Sequence, residues 1–598
     1  MEARASLAAF AQPEIGTLTE LLLWHGEGRV QLRRYAKHGG QWQGQDSAEF
    51  YEQVRRLEAG LRGELGARAG ERVAILAESR LEWLIADFAC LAGGLVDVPV
   101  YPTLTAEQVA YIVRDAGAVC AFVSTAEQEQ KLRSMMASLP ALRRIICFES
   151  AEWKAMLEQQ PDEAPEVLAE RLRATRPEQA ATLLYTSGTT GAPKGILLTH
   201  ANLCSNLNVS TRDFDYGAHE RRLSILPLAH ITERHMAYVD MLKGGEMYFS
   251  ESLERVGANL AEVHPTVLVS VPRLFEKVAE ALQAQVAQMP AVRQALFRWA
   301  VRTGERMIPY RLNGEAAPRG LRWRAGVADR LVGRKLRAKM GGRLNKIISG
   351  GAGLAPAVAR LMLALGVRID EGYGLSETSP VIALSRPGHR RLGSVGHPLP
   401  NLEVKLADDG EILVRGPSVF SGYYHLSEET AEALRGGWFH TGDIGRLDED
   451  GFLYLMDRKK DLIKTSGGKY IAPQPIEAKL KASGLIAEAV VVGDGHNYAV
   501  TLLVPNWPAV EARGIACTDR DGACRDEAVR ALFAAEIERV NAGLARFETL
   551  KKFALVAEEF TIARGELTPT IKVRRRAVAA NYRELIASLY IPAKVDSA

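Results

Sequence analysis

Eleven consecutive residues, Tyr185-Thr186-Ser187-Gly188-Thr189-Thr190-Gly191-Ala192-Pro193-Lys194-Gly195, bring together three glycines, four Ser or Thr hydroxyls and one lysine. Glycines let successive backbone N–H groups turn toward a bound anion, and the hydroxyls and lysine add donors and positive charge. That chemistry cradles a polyphosphate. The run is not a Walker loop, which needs Gly-Lys followed at once by Ser or Thr. A short apolar segment, residues 181–184, leads into it as a strand.

The elements that must hold such a loop are legible around it. Residues 73–76, 96–100 and 119–123 read as short apolar strands, with helices at 81–91 and 105–116 between them. Buried strands alternating with helices imply parallel α/β layers. The pattern resumes with strands near 223–226, 267–271, 346–349 and 367–370. From about residue 404 short strands and turns replace it, as at 410–414 and 451–455. A charged run follows, Asp457-Arg458-Lys459-Lys460-Asp461. Beyond it lie helices near 476–480 and 527–542 and strands at 487–492 and 499–504. The charged run marks a domain boundary, giving a large domain over 1–457 and a small one over 458–598.

With 598 residues the chain has ample core for more than one domain. Its 25% charged and 47% hydrophobic residues are ordinary for a soluble globular protein, and a net charge of +3 carries no global nucleic-acid signal. No apolar run is long enough to span a bilayer. The start, Met1-Glu2-Ala3-Arg4, lacks the charged-then-apolar plan of a secretory signal. Six cysteines without a CxxC pair read as buried free thiols in a reducing cytosol. Residues 290–343 stand apart as a long helical and basic stretch. From Arg319 to Lys346 there are ten Lys or Arg and one acid, Asp329, with Leu321, Trp323, Val327, Leu331 and Leu336 interleaved. Such a stretch is either a patch that meets an anionic membrane surface or a solvated helix packing its apolar side on the protein.

The glycine-rich run closely resembles the phosphate loop of the adenylate-forming superfamily, the AMP-dependent synthetases and ligases. Further segments resemble that superfamily, in its order and spacing, as far as about Arg576. The resemblance implies an α/β fold: a large N-terminal domain of layered α/β subdomains and a small mobile α+β C-terminal domain. It implies that Thr186, Ser187, Gly188, Thr189, Thr190 and Lys194 bind ATP, with Ser187, Thr189, Thr190 and Lys194 on the β- and γ-phosphates. Asp370-Glu371-Gly372-Tyr373-Gly374-Leu375-Ser376-Glu377-Thr378 resembles the motif whose aromatic residue, here Tyr373, stacks on adenine. In that motif Ser376, where threonine is commoner, faces the α-phosphate. Glu377 holds Mg2+, together with Thr189 of the loop, and hard oxygen ligands suit magnesium on phosphates. Glu371, Gly372 and Gly374 belong to the same nucleotide-binding segment.

Ser349-Gly350-Gly351-Ala352-Gly353 resembles the adenine-side loop, with Gly351 and Ala352 at the contacting positions and Gly353 where the family has proline. His440-Thr441-Gly442-Asp443 resembles the ribose motif: Asp443 accepts from the ribose hydroxyls, and Arg458 is its second ribose partner. The family rotates its small domain between two half-reactions, which implies a hinge at Lys460. Gly467, Gly468, Lys469 and Tyr470 then line the path of CoA. Gly565-Glu566-Leu567-Thr568-Pro569-Thr570-Ile571-Lys572 matches the long-chain form of the C-terminal catalytic lysine motif. Lys572 would bridge the substrate carboxylate and the α-phosphate, neutralising two anions that repel. The catalytic set implied is Lys572, Thr189 and Glu377.

Pro227-Leu228-Ala229-His230-Ile231-Thr232-Glu233-Arg234 resembles the acyl-pocket motif. Amino-acid-activating relatives carry an aspartate where this chain has Ile231, and isoleucine cannot pair an ammonium. The Leu-Ala-His-x-x-Glu-Arg form looks like long-chain fatty acyl-CoA synthetases, including the "bubblegum" type. The acyl pocket implied contains His230, Ile231, Val271 and Phe275, with Phe275 at its gate. The resemblance thus implies an AMP-forming ligase that joins a long-chain fatty acid to CoA, with ATP as co-substrate and Mg2+ as cofactor. Its partners would be small molecules and no nucleic acid. It would be cytoplasmic, with peripheral contact to an anionic membrane, and a monomer or homodimer. The alternatives are an adenylating ligase for another acid, transfer to a carrier protein, or a nucleotide-binding protein without turnover.

Overall fold

The computed structural model of the protein describes residues 14–590 except 32, 187–192, 213, 215, 253, 271, 352–353, 467–468, 516, 518 and 569–571. Two sheets build the larger domain. The first runs Arg144–Cys147, Cys120–Val123, Arg72–Leu76, Val96–Val100, Ala180–Thr186 and Lys194–Thr199, parallel except for its last pair. The second has nine strands. Its parallel centre is Arg368–Gly374, Lys346–Ser349, Val267–Ser270, Arg221–Ser224, Glu246–Phe249 and Arg34–His38. Antiparallel strands close both edges. Val96–Val100 and Val267–Ser270 are buried at every position, as strands covered on both faces must be.

A helical layer lies between the sheets. One core cluster joins Ile75, Phe122 and Leu184 of the first sheet to Met247, Val269 and Ile348 of the second. Phe88, Leu207 and Met241 bridge them from the helices Leu81–Ala92, His200–Arg212 and Ile231–Lys243. Two adjacent charges fasten the last of these helices to both sheets. Arg234 donates to Asp97 at 2.6 Å, to Thr182 at 2.8 Å and to Asp87. Glu233 pairs with Arg222 and accepts from Ser224 at 2.5 Å, both on the second sheet. These groups are fully buried, and each charge has an opposite partner, as burial demands.

The basic stretch is helical: Ala291–Asn313, Arg319–Ala328, a π turn at Asp329–Gly333, and Arg334–Lys339. It packs on the helix Pro356–Ala364 so closely that a Cβ on Gly304 would sit 2.0 Å from the Ala364 carbonyl oxygen. Arg337 pairs with Asp329 at 2.7 Å and donates to the Leu365 carbonyl at 2.6 Å.

An antiparallel sheet, Glu403–Leu406, Glu411–Arg415, Phe439–Leu447 and Leu453–Arg458, precedes the smaller domain. That domain holds a two-stranded piece, Ile463–Lys464 with Tyr470–Ile471, and a three-stranded sheet, Ile486–Val492, Ala499–Pro505 and Leu550–Leu555. The helices Pro473–Lys481 and Glu527–Asn541 cover it around a separate core that includes Val491, Leu503 and Phe533. The chain is therefore α/β with a large N-terminal and a smaller C-terminal domain. Among the described residues all six cysteines are free thiols, no helix is long and apolar enough to cross a membrane, and no cluster of three metal-binding side chains occurs.

Candidate active site

Tyr373, next to last on the strand Arg368–Gly374, is 6% exposed. Its hydroxyl donates to Asp443 Oδ2 at 2.8 Å. Asp443 lies on Phe439–Leu447, directly opposite Arg458 in the antiparallel register. Arg458 Nε stands 3.1 Å from the other carboxylate oxygen, Oδ1. The sheet register thus sets Asp443 beside Arg458, and the Tyr373 hydroxyl joins them from the nine-stranded sheet, so the three expected adenine and ribose residues meet. Close packing sets the neighbours of Tyr373: a Cβ on Gly374 would lie 1.8 Å from the Pro380 carbonyl oxygen, and one on Gly372 3.3 Å from Leu384. Burial pushes the Glu371 carboxyl up to about 7, against the opposing pull of the Leu354 backbone N–H.

Lys572 reaches this corner from the smaller domain. Its backbone closes a turn, donating to Thr568 Oγ1 at 3.0 Å and accepting from the Thr568 N–H at 2.8 Å. A Cβ built on Gly351 would meet Lys572 Nζ at 3.6 Å. Burial, then the positive charge of Arg458, lowers the Lys572 ammonium to about 8, against the opposing pull of Asp443. His230 feels the same lysine: burial first and Lys572 second bring it down to about 4, so it is neutral at pH 7. Gly351, Tyr373, Asp443, Arg458, Lys572 and His230 therefore share one site. Ala352 lies outside the described residues.

The loop expected to hold phosphates, with Ser187, Gly188, Thr189 and Thr190, also lies outside the described residues. Its two ends are set side by side, because Thr186 pairs with Lys194 across antiparallel strands. Ser376 opens the short turn Ser376–Thr378 that carries Glu377. Tyr423 donates its hydroxyl to Glu377 Oε1 at 3.0 Å, and Lys194 Nζ sits 5.0 Å from the centre of the Tyr423 ring. Burial raises the Glu377 carboxyl. Sequence reasoning missed Tyr423, since a tyrosine in a Gly-Tyr-Tyr turn carries no signal of its own.

A mostly apolar cavity of about 650 Å³, open solvent at its mouth included, starts at the same glycines. Gly350, Gly351, Gly372 and Tyr373 line one part, and Phe214, Met236, Val239 and Ile348 extend it between helices. Its polar wall is satisfied in part, by a 3.0 Å bond between Ser210 and His235. Burial holds His235 down to about 4, hence uncharged. His230 caps the helix Ile231–Lys243, its Nδ1 accepting from the Thr232 N–H at 3.2 Å. Ile231 is in the main core, and Phe275 packs in a second core with Leu223, Ile225 and Leu268; neither lines this cavity. Val271 lies outside the described residues.

At the domain junction, Lys459 is anchored to Asp409 at 2.5 Å and Glu411 at 2.9 Å. Lys460, next to it, is exposed and forms no side-chain hydrogen bond or ion pair with the described residues. Asp457 accepts from the Gln474 N–H at 2.9 Å, at the start of the smaller domain's first helix. Lys469 and Tyr470 are exposed, while Gly467 and Gly468 lie outside the described residues. Lys481 of the smaller domain reaches Glu276 of the helix Pro272–Ala287 at 3.4 Å.

A family model described as AMP-binding enzyme matches residues 29–424, and one described as AMP-binding enzyme C-terminal domain matches 460–594. The long-chain-fatty-acid–CoA ligase FadD15 of Mycobacterium tuberculosis is 38% identical, covering 92% of this chain and 93% of that protein. The peroxisomal long chain acyl-CoA synthetase 7 of Arabidopsis thaliana is 33% identical, over 88% of this chain and 78% of that protein. Among solved structures, the adenylation domain of a carboxylate reductase from Mycobacterium chelonae superposes with a TM-score of 0.74 at 21% identity. That likeness covers 98% of this chain and 93% of the other, and it concerns the fold.

Proposed function

This chain belongs to the AMP-binding enzyme family, and from that premise we propose that it is an ATP-dependent long-chain fatty acid–CoA ligase. It converts a fatty acid, ATP and CoA to acyl-CoA, AMP and diphosphate through an acyl-adenylate. The observation that carries this reading is the seating of Lys572 against Gly351, at the head of an apolar cavity that Gly372 and Tyr373 also line.

In the first half-reaction a carboxylate oxygen attacks the α-phosphorus and diphosphate leaves. Lys572 lies where one ammonium can face both anions, and a charge fixed in place beforehand costs no reorganisation as the transition state forms. Tyr373 offers a flat face for adenine, Asp443 and Arg458 offer an acceptor and a donor for ribose, and Lys194 offers a cation for the terminal phosphates. Ser187, Thr189 and Thr190 are assigned to those phosphates by the resemblance of their loop. Glu377 fits Mg2+, because a carboxylate beside the phosphate lysine is a hard oxygen donor. When bound with ATP, that ion neutralises phosphate charge. In the second half-reaction the CoA thiolate attacks the acyl carbonyl and AMP leaves.

The boundary at 457/458 and a pivot at Lys460 are part of the same proposal. They are supported by the unattached Lys460 beside the anchored Lys459. Lys469 and Tyr470, with Gly467 and Gly468, would flank the CoA path. The same reading includes contact with an anionic membrane through residues 290–343. It is supported by four large apolar side chains held in solvent there, Val292, Trp299, Trp323 and Leu331. Arg319, Arg322, Arg324, Arg330 and Arg334 are exposed beside them and pair with no described residue.

Diphosphate release with Mg·ATP, measured across fatty acids of rising length with and without CoA, tests the function. Turnover that peaks at a long chain, with thioester and AMP formed only when CoA is present, is expected. Release without any CoA-dependent thioester would move the assignment to a carrier-protein ligase.

A further inference from the structure

The turn that follows the strand Glu411–Arg415 is tied at two points to two different parts of the site. The Phe420 N–H donates to the Glu377 carbonyl at 2.8 Å, and the Tyr424 N–H donates to the Gly195 carbonyl at 2.8 Å. Ile196 and Tyr423 form an antiparallel bridge. Asn202 holds the start of the turn, donating to the Pro417 and Val419 carbonyls at 2.9 and 3.1 Å. Between the two ties stands Tyr423. Its hydroxyl donates to Glu377 Oε1 at 3.0 Å, and its ring faces the Lys194 ammonium at 5.0 Å. Phe420 braces the ring edge-on at 4.9 Å.

We propose that Tyr423 is a positioning residue that holds Lys194 and Glu377 at one fixed separation, so that the triphosphate end of ATP meets a preformed cation and carboxylate. The inference rests on the reading of Lys194 and Glu377 as the phosphate and metal-side groups. Each half of the side chain has its own task. The ring seats the lysine by cation–π attraction, which acts without the hydroxyl. The hydroxyl orients the carboxylate, as second partners of metal-ligating acids do. A lysine on four flexible methylenes and a carboxylate on two would otherwise find each other, and an ion pair would waste both charges before ATP arrives.

Two substitutions separate the tasks. Tyr423→Phe keeps the ring, and Tyr423→Leu removes ring and hydroxyl; thermal melts check that both fold. ATP affinity is measured by calorimetry in excess chelator, where only the lysine side of the site acts, and the Mg2+ concentration for half-maximal diphosphate release is measured separately. Tyr423→Phe is expected to leave metal-free ATP affinity within about twofold and to raise the Mg2+ requirement about tenfold or more. Tyr423→Leu is expected to raise the Mg2+ requirement likewise and to weaken metal-free ATP binding by a further threefold to tenfold. Equal effects of the two variants on metal-free ATP affinity, or no effect of either on the Mg2+ requirement, would overturn the proposal. Lys194→Ala and Glu377→Gln serve as references. If these leave both readouts unchanged, the underlying assignment of the site fails, whatever the tyrosine variants do.

Discussion

The Lys572 ammonium stands 3.6 Å from the point a Cβ on Gly351 would occupy, so a residue of the smaller domain lies in van der Waals reach of this glycine of the larger one. Gly351 has a φ of +82°, which by itself disfavours any other residue. In the role proposed for Lys572, this contact belongs to the adenylate-forming half-reaction. Lys572→Ala should reduce acyl-adenylate formation by about a hundredfold to a thousandfold, the range for one preorganised electrostatic donor. Thioester formation from supplied acyl-adenylate and CoA should persist. Equal loss in both half-reactions would contradict the assigned role.

The same lysine predicts a pH limit. Burial and Arg458 hold its ammonium down to about 8. In the proposed role the charged form does the bridging, so adenylation should be present below that value and decline as pH rises through about 8. In the free enzyme this appears as a descending limb in kcat/KM for diphosphate release. Lys572→Arg, whose guanidinium stays charged, should flatten that limb while lowering the rate. A native profile without a descending limb up to pH 10 would contradict the assignment.

Lys460 has freedom that its neighbour lacks, since Lys459 is held by both Asp409 and Glu411. Lys460→Pro should leave diphosphate release near the native rate and block thioester formation, because proline fixes φ and hinders rotation there. Normal overall turnover in that variant, measured as acyl-CoA formed per enzyme, would remove the hinge from this position.

Much of this arrangement was legible in the chain because it is written locally. The strands at 96–100 and 346–349 appear unchanged in the structure, and the one read at 267–271 appears as Val267–Ser270, since runs of β-branched residues between turns need no partner to be recognised. The strand read at 223–226 begins two residues earlier, at Arg221–Ser224. An apolar pattern cannot register Arg222, a fully buried arginine whose burial depends on Glu233 and Asp240. The strand read at 367–370 runs on to Gly374, because Gly372 and Gly374 pair with Leu384 and Val381. Tyr423 and the two ends of Arg234 were invisible for a related reason. Their partners lie far off in sequence, and periodicity holds no information on which side chains meet across sheets. Phe275, expected at a tunnel gate, is buried among Leu223, Ile225 and Leu268, and an aromatic residue at helical spacing looks the same in sequence whether it borders a cavity or packs in a core.

Arg234 offers a test of what holds the cavity helix. It satisfies Asp87 and Asp97 together, and the tyrosine Tyr238 donates to Asp87 at 2.9 Å in the same cluster. Arg234→Met leaves two carboxylates buried without a cation, at a cost of about 3–5 kcal/mol. Urea unfolding should show a midpoint lowered accordingly. Because Met236 and Val239 of that helix line the cavity, KM for the fatty acid should rise more than KM for ATP in any folded fraction. Equal changes in both would mean that the cluster stabilises the domain without shaping the cavity.

The helix Arg319–Ala328 carries the last test. Trp323 is 71% exposed, a costly position for a tryptophan unless something covers it. Arg319, Arg322 and Trp323 share one helical face by their spacing of three and four residues, so ring and guanidinium groups can meet the same surface. An anionic bilayer matches both, with headgroup charge for the arginines and an interfacial layer for the indole. Co-sedimentation should therefore detect binding to vesicles containing phosphatidylglycerol and little to neutral ones, with loss in high salt as exposed charges are screened. Each arginine near such a surface contributes about 1 kcal/mol, so the triple change Arg319→Gln, Arg322→Gln and Arg324→Gln should weaken binding about a hundredfold. Turnover of a short, water-soluble acid should be untouched, because none of these side chains reaches the site around Lys572. Binding to anionic vesicles no stronger than to neutral ones would leave the helix as a solvated surface element.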